Sequence, residues 1–427
     1  MKKMVYQNVK GTQDYLPDAE LVRKHIKRTL EDVFITYGCQ PLETSIVNYT
    51  ELLASKYAGG VEIIEEMYTL TDRGKRDLAL RYDLTIPFAK VVAMNRSLRM
   101  PFKRYEIGKV FRDGPIKTGR LREFTQCDVD IVGVDTQVAE AELMAMALDA
   151  FGRLDLDVEI HYNNRKLLTG LLELFGVKRE KINRAVLTID KVEKIGVNGV
   201  IRELGTNGVE ASALTLIQGF LEDNTNTDFS YYEPYATQSD QVAEGLAELV
   251  ELMSYLSFLG LDQDCVFSPS LARGLDIYTG TIYEIFLRDD IVTSSIGSGG
   301  RYDNAIGGMI GTDEAFATVG ISFGLDVIYT AVKLSGRIIT EQTAIDYYIV
   351  PLNAHKEALV LAQYIRSKGY KVEVEMGNKR VRKAFEQADR EGVLNVIVLG
   401  ENEVESNRYT VRNMETGDET IETFTFV

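Results

Sequence analysis

Two runs of about ten residues, PFKRYEIGKVFR (101–112) and REFTQCDVDIVG (122–133), constrain this chain more than any other feature. Both are rich in β-branched and aromatic residues, and the intervening DGPIKTG has turn chemistry, so together they predict a long antiparallel hairpin. With a period of two, one face of the second strand carries Arg122, Phe124, Gln126, Asp128 and Asp130, and the other carries Glu123, Thr125, Cys127, Val129 and Ile131. The first set reads either as an exposed polar face with local ion pairs or as a site for a polar, cationic, aromatic-compatible ligand. Arg112, Arg120 and Arg122 concentrate positive charge near one end of the hairpin, where guanidiniums can bind phosphate oxygens in a bidentate way. Phe124 offers a ring on which a nucleobase can stack.

The other elements follow from periodicity and punctuation. Residues 17–38 begin with Pro17, repeat Val22, Ile26, Leu30, Val33 and Tyr37, and end at Gly38, which predicts a helix. TIPFAKVVAMN (85–95) reads as a helix capped by Thr85. The preceding LALRYD brings Asp83, either an acceptor for an ammonium group or a helix-terminus residue. Residues 136–154 and 239–260 predict further helices, and residues 163–224 a helical insertion. LARGLDIYTGTIYE (271–284) reads as a strand with Arg273 near its start. SIGSGGRYDN (295–304) places Arg301, Tyr302 and Asp303 behind a glycine-rich turn that is neither a dinucleotide-binding fingerprint nor a phosphate-binding loop. After residue 344, strands alternate with helices as βαβαβ, predicting a small parallel-sheet domain. The fold class is α+β with an added α/β unit.

Composition excludes several function classes. A formal charge of −16 argues against indiscriminate nucleic-acid binding. It leaves room for an RNA partner on a local basic patch, at residues 96–122 or 378–383, where the alternative is a solvated charged face. No apolar run approaches the roughly 20 residues of a membrane span, and MKKMVYQNVKG lacks a signal-peptide core, so a cytoplasmic location is expected. Cys39, Cys127 and Cys265 and the histidines 25, 161 and 355 are scattered, which fits neither a disulfide framework nor a zinc site.

Several of these segments together resemble the histidyl-tRNA synthetases. RGLDIYTGTIYE and GSGGRYDN are similar to that family's two histidine-specific signatures. VFRDGPIKTGRLREFTQCDVD resembles motif 2 of the class II synthetases. VKGTQDYLP and LALRYDLTIPFAKVVAMN are also family-like, and LRYDLT and QCDVDIVG are closer to the archaeal and eukaryotic variety. The βαβαβ end, with NVIVLGENEVESNRYTVRNMETGDE, resembles the anticodon-binding domain.

The resemblance implies an antiparallel class II catalytic sheet with flanking helices over residues 1–335, an insertion at 163–224 and an anticodon-binding domain at 344–427. It implies histidine, ATP with Mg2+, and tRNA(His) as reactants and ligands, and a homodimer. Residue by residue, Asp83, Thr85 and Gln126 match positions that hold the ammonium group, and Asp130 and Tyr278 match those that bind the imidazole. Tyr302 lines the same pocket. Arg112 and Arg273 match the arginines on the α-phosphate, Phe124 matches the ring beneath adenine, and Arg120 and Arg122 lie in the tRNA- and ATP-facing part of motif 2. Two positions depart from the pattern: Val327 stands where motif 3 carries an arginine for the γ-phosphate, and Gly114 where the motif 2 loop carries a glutamate. A histidine-sensing paralogue without catalysis, such as the regulatory subunit of ATP phosphoribosyltransferase, is the alternative.

Overall fold

The computed structural model describes residues 6–54, 64–116, 119–273, 277–311, 314–336, 345–377 and 379–426. The chain divides into two compact units, Met1–Arg337 and Ile338–Val427.

In the first unit, helix α1 (Pro17–Thr36) precedes β1 (Gln40–Pro41) and β2 (Val47–Tyr49). β3 (Thr69–Thr71), β4 (Asp77–Leu80) and helix α2 (Thr85–Met94) follow. The predicted hairpin is β5 (Phe102–Phe111) and β6 (Glu123–Val132), after which come helix α3 (Val138–Arg153) and β7 (Val158–Asn164). The chain then passes through helices Arg165–Leu174, Ile182–Ile189, Val192–Thr206, Ala211–Glu222 and Asp240–Leu259. It returns to β8 (Cys265–Phe267), β9 (Thr281–Leu287), β10 (Gly297–Arg301) and β11 (Thr318–Gly324). An eight-stranded sheet runs in the order β1-β5-β6-β11-β10-β9-β7-β8. It is antiparallel except at its two edges, where β1 joins β5 and β8 joins β7 in parallel. A small second sheet has the order β2-β4-β3.

Period two on β6 divides the chemistry between the two faces. Cys127, Val129 and Ile131 are buried on one side. A string of rings fills the same side: Phe34 of α1 lies 5.8 Å from Tyr105 and 5.6 Å from Phe323, and Phe323 lies 5.6 Å from Phe151 of α3. Helix α1 reaches this core through Ile26, Leu30 and Val33, as the sequence spacing predicts, and through Phe34, while Val22 and Tyr37 are only partly buried.

Three local readings change. The strand in 271–284 starts only at Thr281; Leu271, Ala272 and Arg273 are not in a strand, and residues 274–276 lie outside the described segments. The glycine-rich stretch is not a turn but strand β10, inside the sheet. A Cβ on Gly299 would collide with the carbonyl of Gly320 on β11, so only glycine lets these strands approach. Helix α2 is not capped by the Thr85 side chain, since Thr85 is its first residue; Asp83 Oδ1 instead accepts from the amide of Ile86 at 3.1 Å.

The second unit carries β12 (Tyr347–Pro351), β13 (Val372–Val374) and β14 (Asn395–Leu399) in parallel, with helices His355–Ser367 and Val381–Arg390 between them. An antiparallel pair, β15 (Arg408–Asn413) and β16 (Glu419–Thr423), extends the sheet to the order β13-β12-β14-β15-β16. Of the basic run here, Lys379 pairs with Glu375 at 2.9 Å and Arg382 with Glu386 at 3.0 Å.

Phe323 is fully buried between α1 and α3. Phe323→Ala is expected to destabilise the first unit by about 3–5 kcal/mol, read as a lower urea midpoint for loss of helical circular dichroism. An unchanged midpoint would show that the ring string is not the core that joins helices to sheet.

Candidate active site

On the other face of the sheet the strand register builds two cross-strand rows. One runs from Glu106 on β5 through Asp128 on β6, Ser322 on β11 and Ser298 on β10 to Glu284 on β9. The adjacent row is Arg104, Asp130, Gly320, Gly300 and Ile282. The carboxylates and serines thus lie side by side, and the glycines leave a hollow above them. A Cβ on Gly320 would run into Asp130, and one on Gly300 would lie 2.9 Å from the Tyr278 ring. The resulting cavity is lined by Asp83, Thr85, Asp128, Asp130, Tyr278 and Tyr302, together with the glycines and serines of β10 and β11.

The face is therefore not a solvated polar surface. Asp128 and Asp130 are both 3% exposed, and Arg104 beneath them is fully buried. Arg104 pairs with Asp130 at 2.5 Å and stands 3.7 Å from Glu106. Glu106 is held by Arg81 at 2.7 Å and by the Thr44 amide and hydroxyl, each at 3.0 Å. Tyr302 donates its hydroxyl to Asp130. Burial pushes the Asp130 carboxyl up, and Arg104 and Tyr302 pull it back. Burial raises Asp83 to about 6, with Ile86 and Arg112 opposing it. Burial likewise raises the Tyr278 phenol.

The two phosphate-clamp candidates do not line this cavity, but each acts on a residue that does. Arg112 shares its face of the hairpin with Arg104 by strand parity, donates Nε–H to the Tyr82 carbonyl at 2.9 Å, and acts electrostatically on Asp83. Its guanidinium lies 5.2 Å from the centre of the Phe124 ring, forming an arginine–aromatic platform. Arg273 pairs with Glu284, the last member of the carboxylate row, and interacts with Tyr278 on the cavity wall.

Other sequence candidates lie differently. Gln126 is not on the cavity wall; its Nε2 donates to Ser322 Oγ at 2.9 Å, and Ser322 is on the wall. Arg120 is half-exposed and 3.5 Å from Glu66. Arg122 turns to Asp113 at 2.7 Å. Arg301, which the sequence sets beside Tyr302, points away from the cavity and is buried against Glu140 of α3 at 2.7 and 2.8 Å. At the departing positions, a Cβ on Gly114 would lie 2.5 Å from Glu66 Oε1, so a carboxylate from another segment occupies that space. Val327 packs against Gly119 at the end of the hairpin loop.

Sequence reasoning missed Arg104, Ser322 and Glu66 as parts of this region, and it saw Asp128 on the polar face without giving it a role. The signal for Arg104 was present: on β5 it shares parity with Glu106 and Arg112. Glu66 carries no such signal, because only the fold brings it to the hairpin loop.

The comparisons with known proteins agree over nearly the whole length. The family model described as "Histidyl-tRNA synthetase" matches residues 11–328, and the model "Anticodon binding domain" matches residues 346–425. The chain is 55% identical over 426 residues to "Histidine--tRNA ligase 2" of Shouchella clausii, covering 100% of both chains. Among solved structures, histidyl-tRNA synthetase from Nostoc sp. PCC 7120 superposes with a TM-score of 0.83 at 27% identity, over 99% of this chain and 97% of the other. A Bacillus halodurans protein titled ATP phosphoribosyltransferase regulatory subunit/histidyl-tRNA synthetase shares the fold, with a TM-score of 0.76 at 19% identity over 93% of this chain and 99% of that one. With a full-length relative at this identity and a family model spanning most of the first unit, the chain belongs to the histidyl-tRNA synthetase family.

Proposed function

We propose that this protein is a histidine–tRNA ligase that activates histidine with ATP and transfers the histidyl group to tRNA(His). The observation that carries this reading is the cavity of carboxylates and phenols, with one guanidinium acting on its Asp83 and another on its Tyr278. In the first step the carboxylate of histidine attacks the α-phosphorus of ATP, and pyrophosphate leaves. In the second, a terminal ribose hydroxyl of the tRNA attacks the carbonyl of the adenylate, and AMP leaves. Holding both reactants side by side removes much of the entropic barrier.

Arg112 and Arg273 are assigned to the α-phosphate oxygens, where negative charge builds up in the first step. Phe124 and Arg112 form the platform for adenine, and Arg120 reaches the phosphates. Asp83, Thr85 and Gln126, the last through Ser322, address the ammonium group. Asp130 and Tyr278 address the two ring nitrogens, and Tyr302 holds Asp130 in place. An apolar analogue would leave those buried groups unpaired, a strong basis for rejection. With Val327 in place of the motif 3 arginine, Arg120, next to Gly119, is assigned the cationic role near the outer phosphates. Magnesium, carried in by ATP, needs few protein ligands; Glu66, beside Gly114 and acting on Arg112, is the carboxylate suited to hold it, where the ion would neutralise phosphate charge. The second unit is assigned to the anticodon, the helices between β7 and β8 to the acceptor arm, and the assembly is a cytoplasmic homodimer. No helix among the described residues is long and apolar enough to cross a membrane.

The sensor alternative is less well supported, because the full-length relative at 55% identity is named a ligase, whereas the regulatory-subunit likeness is one of fold alone. Histidine-dependent exchange of pyrophosphate into ATP separates the two: exchange is expected, and histidine binding without exchange would favour the sensor.

Arg273→Ala is expected to lower that exchange by roughly 10²–10³-fold while histidine affinity stays within a few-fold; an unchanged exchange rate would remove the clamp role. A chain ending after Arg337, the boundary of the first unit, is expected to retain exchange and to lose most tRNA charging. Full charging by that truncated chain would refute the anticodon assignment.

A further inference from the structure

Among the described residues, the carboxylates of the cavity floor outnumber the guanidiniums that answer them. Asp128 is faced by Arg104 from β5, by Asp130 on its own strand, by Asp83 from the loop ahead of α2, and by the phenols of Tyr278 and Tyr302. β11 contributes Ser322, whose hydroxyl bonds Asp128. Glu106, directly opposite on β5, is already satisfied by Arg81 and Thr44. Asp130 has Arg104 and the Tyr302 hydroxyl, and Asp83 has the Ile86 amide and the nearby charge of Arg112. Among the described residues, two guanidiniums, Arg104 and Arg112, therefore serve three carboxylates. Asp128 is the one left over: it lines the cavity, it is 3% exposed, and among the described residues its Oδ1 has no hydrogen-bond partner, whereas Asp130 Oδ2, also without a hydrogen bond, lies 2.5 Å from Arg104 Nη2. A buried carboxylate in this position takes up either a proton or a cation, because burial disfavours its ionised, unpaired form.

Taking the cavity as the histidine pocket, we infer that Asp128 exchanges a proton for the ammonium group of histidine. It is a carboxylic acid in the empty pocket and a carboxylate once the cation is bound, so histidine uptake releases a proton to solvent. Its place on β6 suits this role: it lies between Gln126 and Asp130, the positions read as addressing the two ends of the amino acid. The same exchange adds selectivity, since a ligand with the ring but no ammonium group cannot displace the proton.

The direction of the pH dependence follows. Burial is the largest influence on Asp128 and raises its carboxyl to about 8, with Arg104 opposing and Asp130 adding to the rise. Below that value the free pocket holds the proton and histidine must displace it. Affinity should rise with pH up to about 8 and then level off.

The test is calorimetric titration of the full-length protein with histidine at about pH 7, where its imidazole is largely neutral, in two buffers of different ionisation heat. Wild type is expected to release close to one proton per histidine bound. Asp128→Asn is expected to release none and to bind at least tenfold more weakly; equal proton release in both proteins would overturn the inference. Imidazolepropionate, which has no ammonium group, is expected to bind wild type without releasing a proton, and release equal to that with histidine would also overturn it. If Asp128→Asn does not fold, the wild-type affinity between about pH 7 and 8 decides: a rise of several-fold supports the exchange, and a flat profile refutes it. If wild type shows no histidine binding at all, the reading of the pocket fails, an outcome distinct from binding without proton release.

Discussion

The site rests on one buried ion pair. Arg104 is fully buried, meets Asp130 at 2.5 Å and stands in the row next to the carboxylate row, on the same face of the sheet. A guanidinium taken out of water is tolerated only where its charge is answered closely, and the same holds for the carboxylates around it. Removing Arg104 would leave Asp128 and Asp130 adjacent, buried and unanswered. The pair therefore fixes where negative charge can stand in the sheet, and so where a cationic ligand can be received.

Small residues make that arrangement possible. Gly299, Gly300 and Gly320 bring β10 and β11 close and leave the space that Asp130 and the Tyr278 ring fill. Gly108 gives way in the same manner to Arg81, which holds Glu106. On the opposite face, rings from α1, α3, β5 and β11 supply the apolar packing that stabilises the sheet. One face is thus devoted to stability and the other to a charged hollow. The polar face can be buried because nearly every charge on it has a partner.

Much of this was legible in the chain. The hairpin of β5 and β6, helix α1 and the βαβαβ order of the second unit follow from periodicity, because each is set by neighbours close in sequence. The pocket-facing parity of Asp128 and Asp130 was legible for the same reason. The misreadings concern residues whose surroundings come from elsewhere. The glycines of 297–300 look like turn formers until β11 is laid beside them. Thr85 looks like a cap until Asp83 is seen to reach the Ile86 amide. Arg301 looks like a neighbour of Tyr302 in the site until Glu140, 161 residues away, is found to hold it.

The sequence by itself determined which residue types share a strand face, where the helices run and which family the motifs resemble, since these depend on local spacing and on the chemistry of each side chain. Only the tertiary structure decided which charges neutralise one another. It assigned Arg104 to Asp130, Arg301 to Glu140 and Glu66 to the space beside Gly114, and among the described residues it left Asp128 Oδ1 without a hydrogen bond. The physical reason is that the energy of a buried charge depends on distances of a few ångströms between groups far apart in the chain. Those distances exist only after the strands have paired.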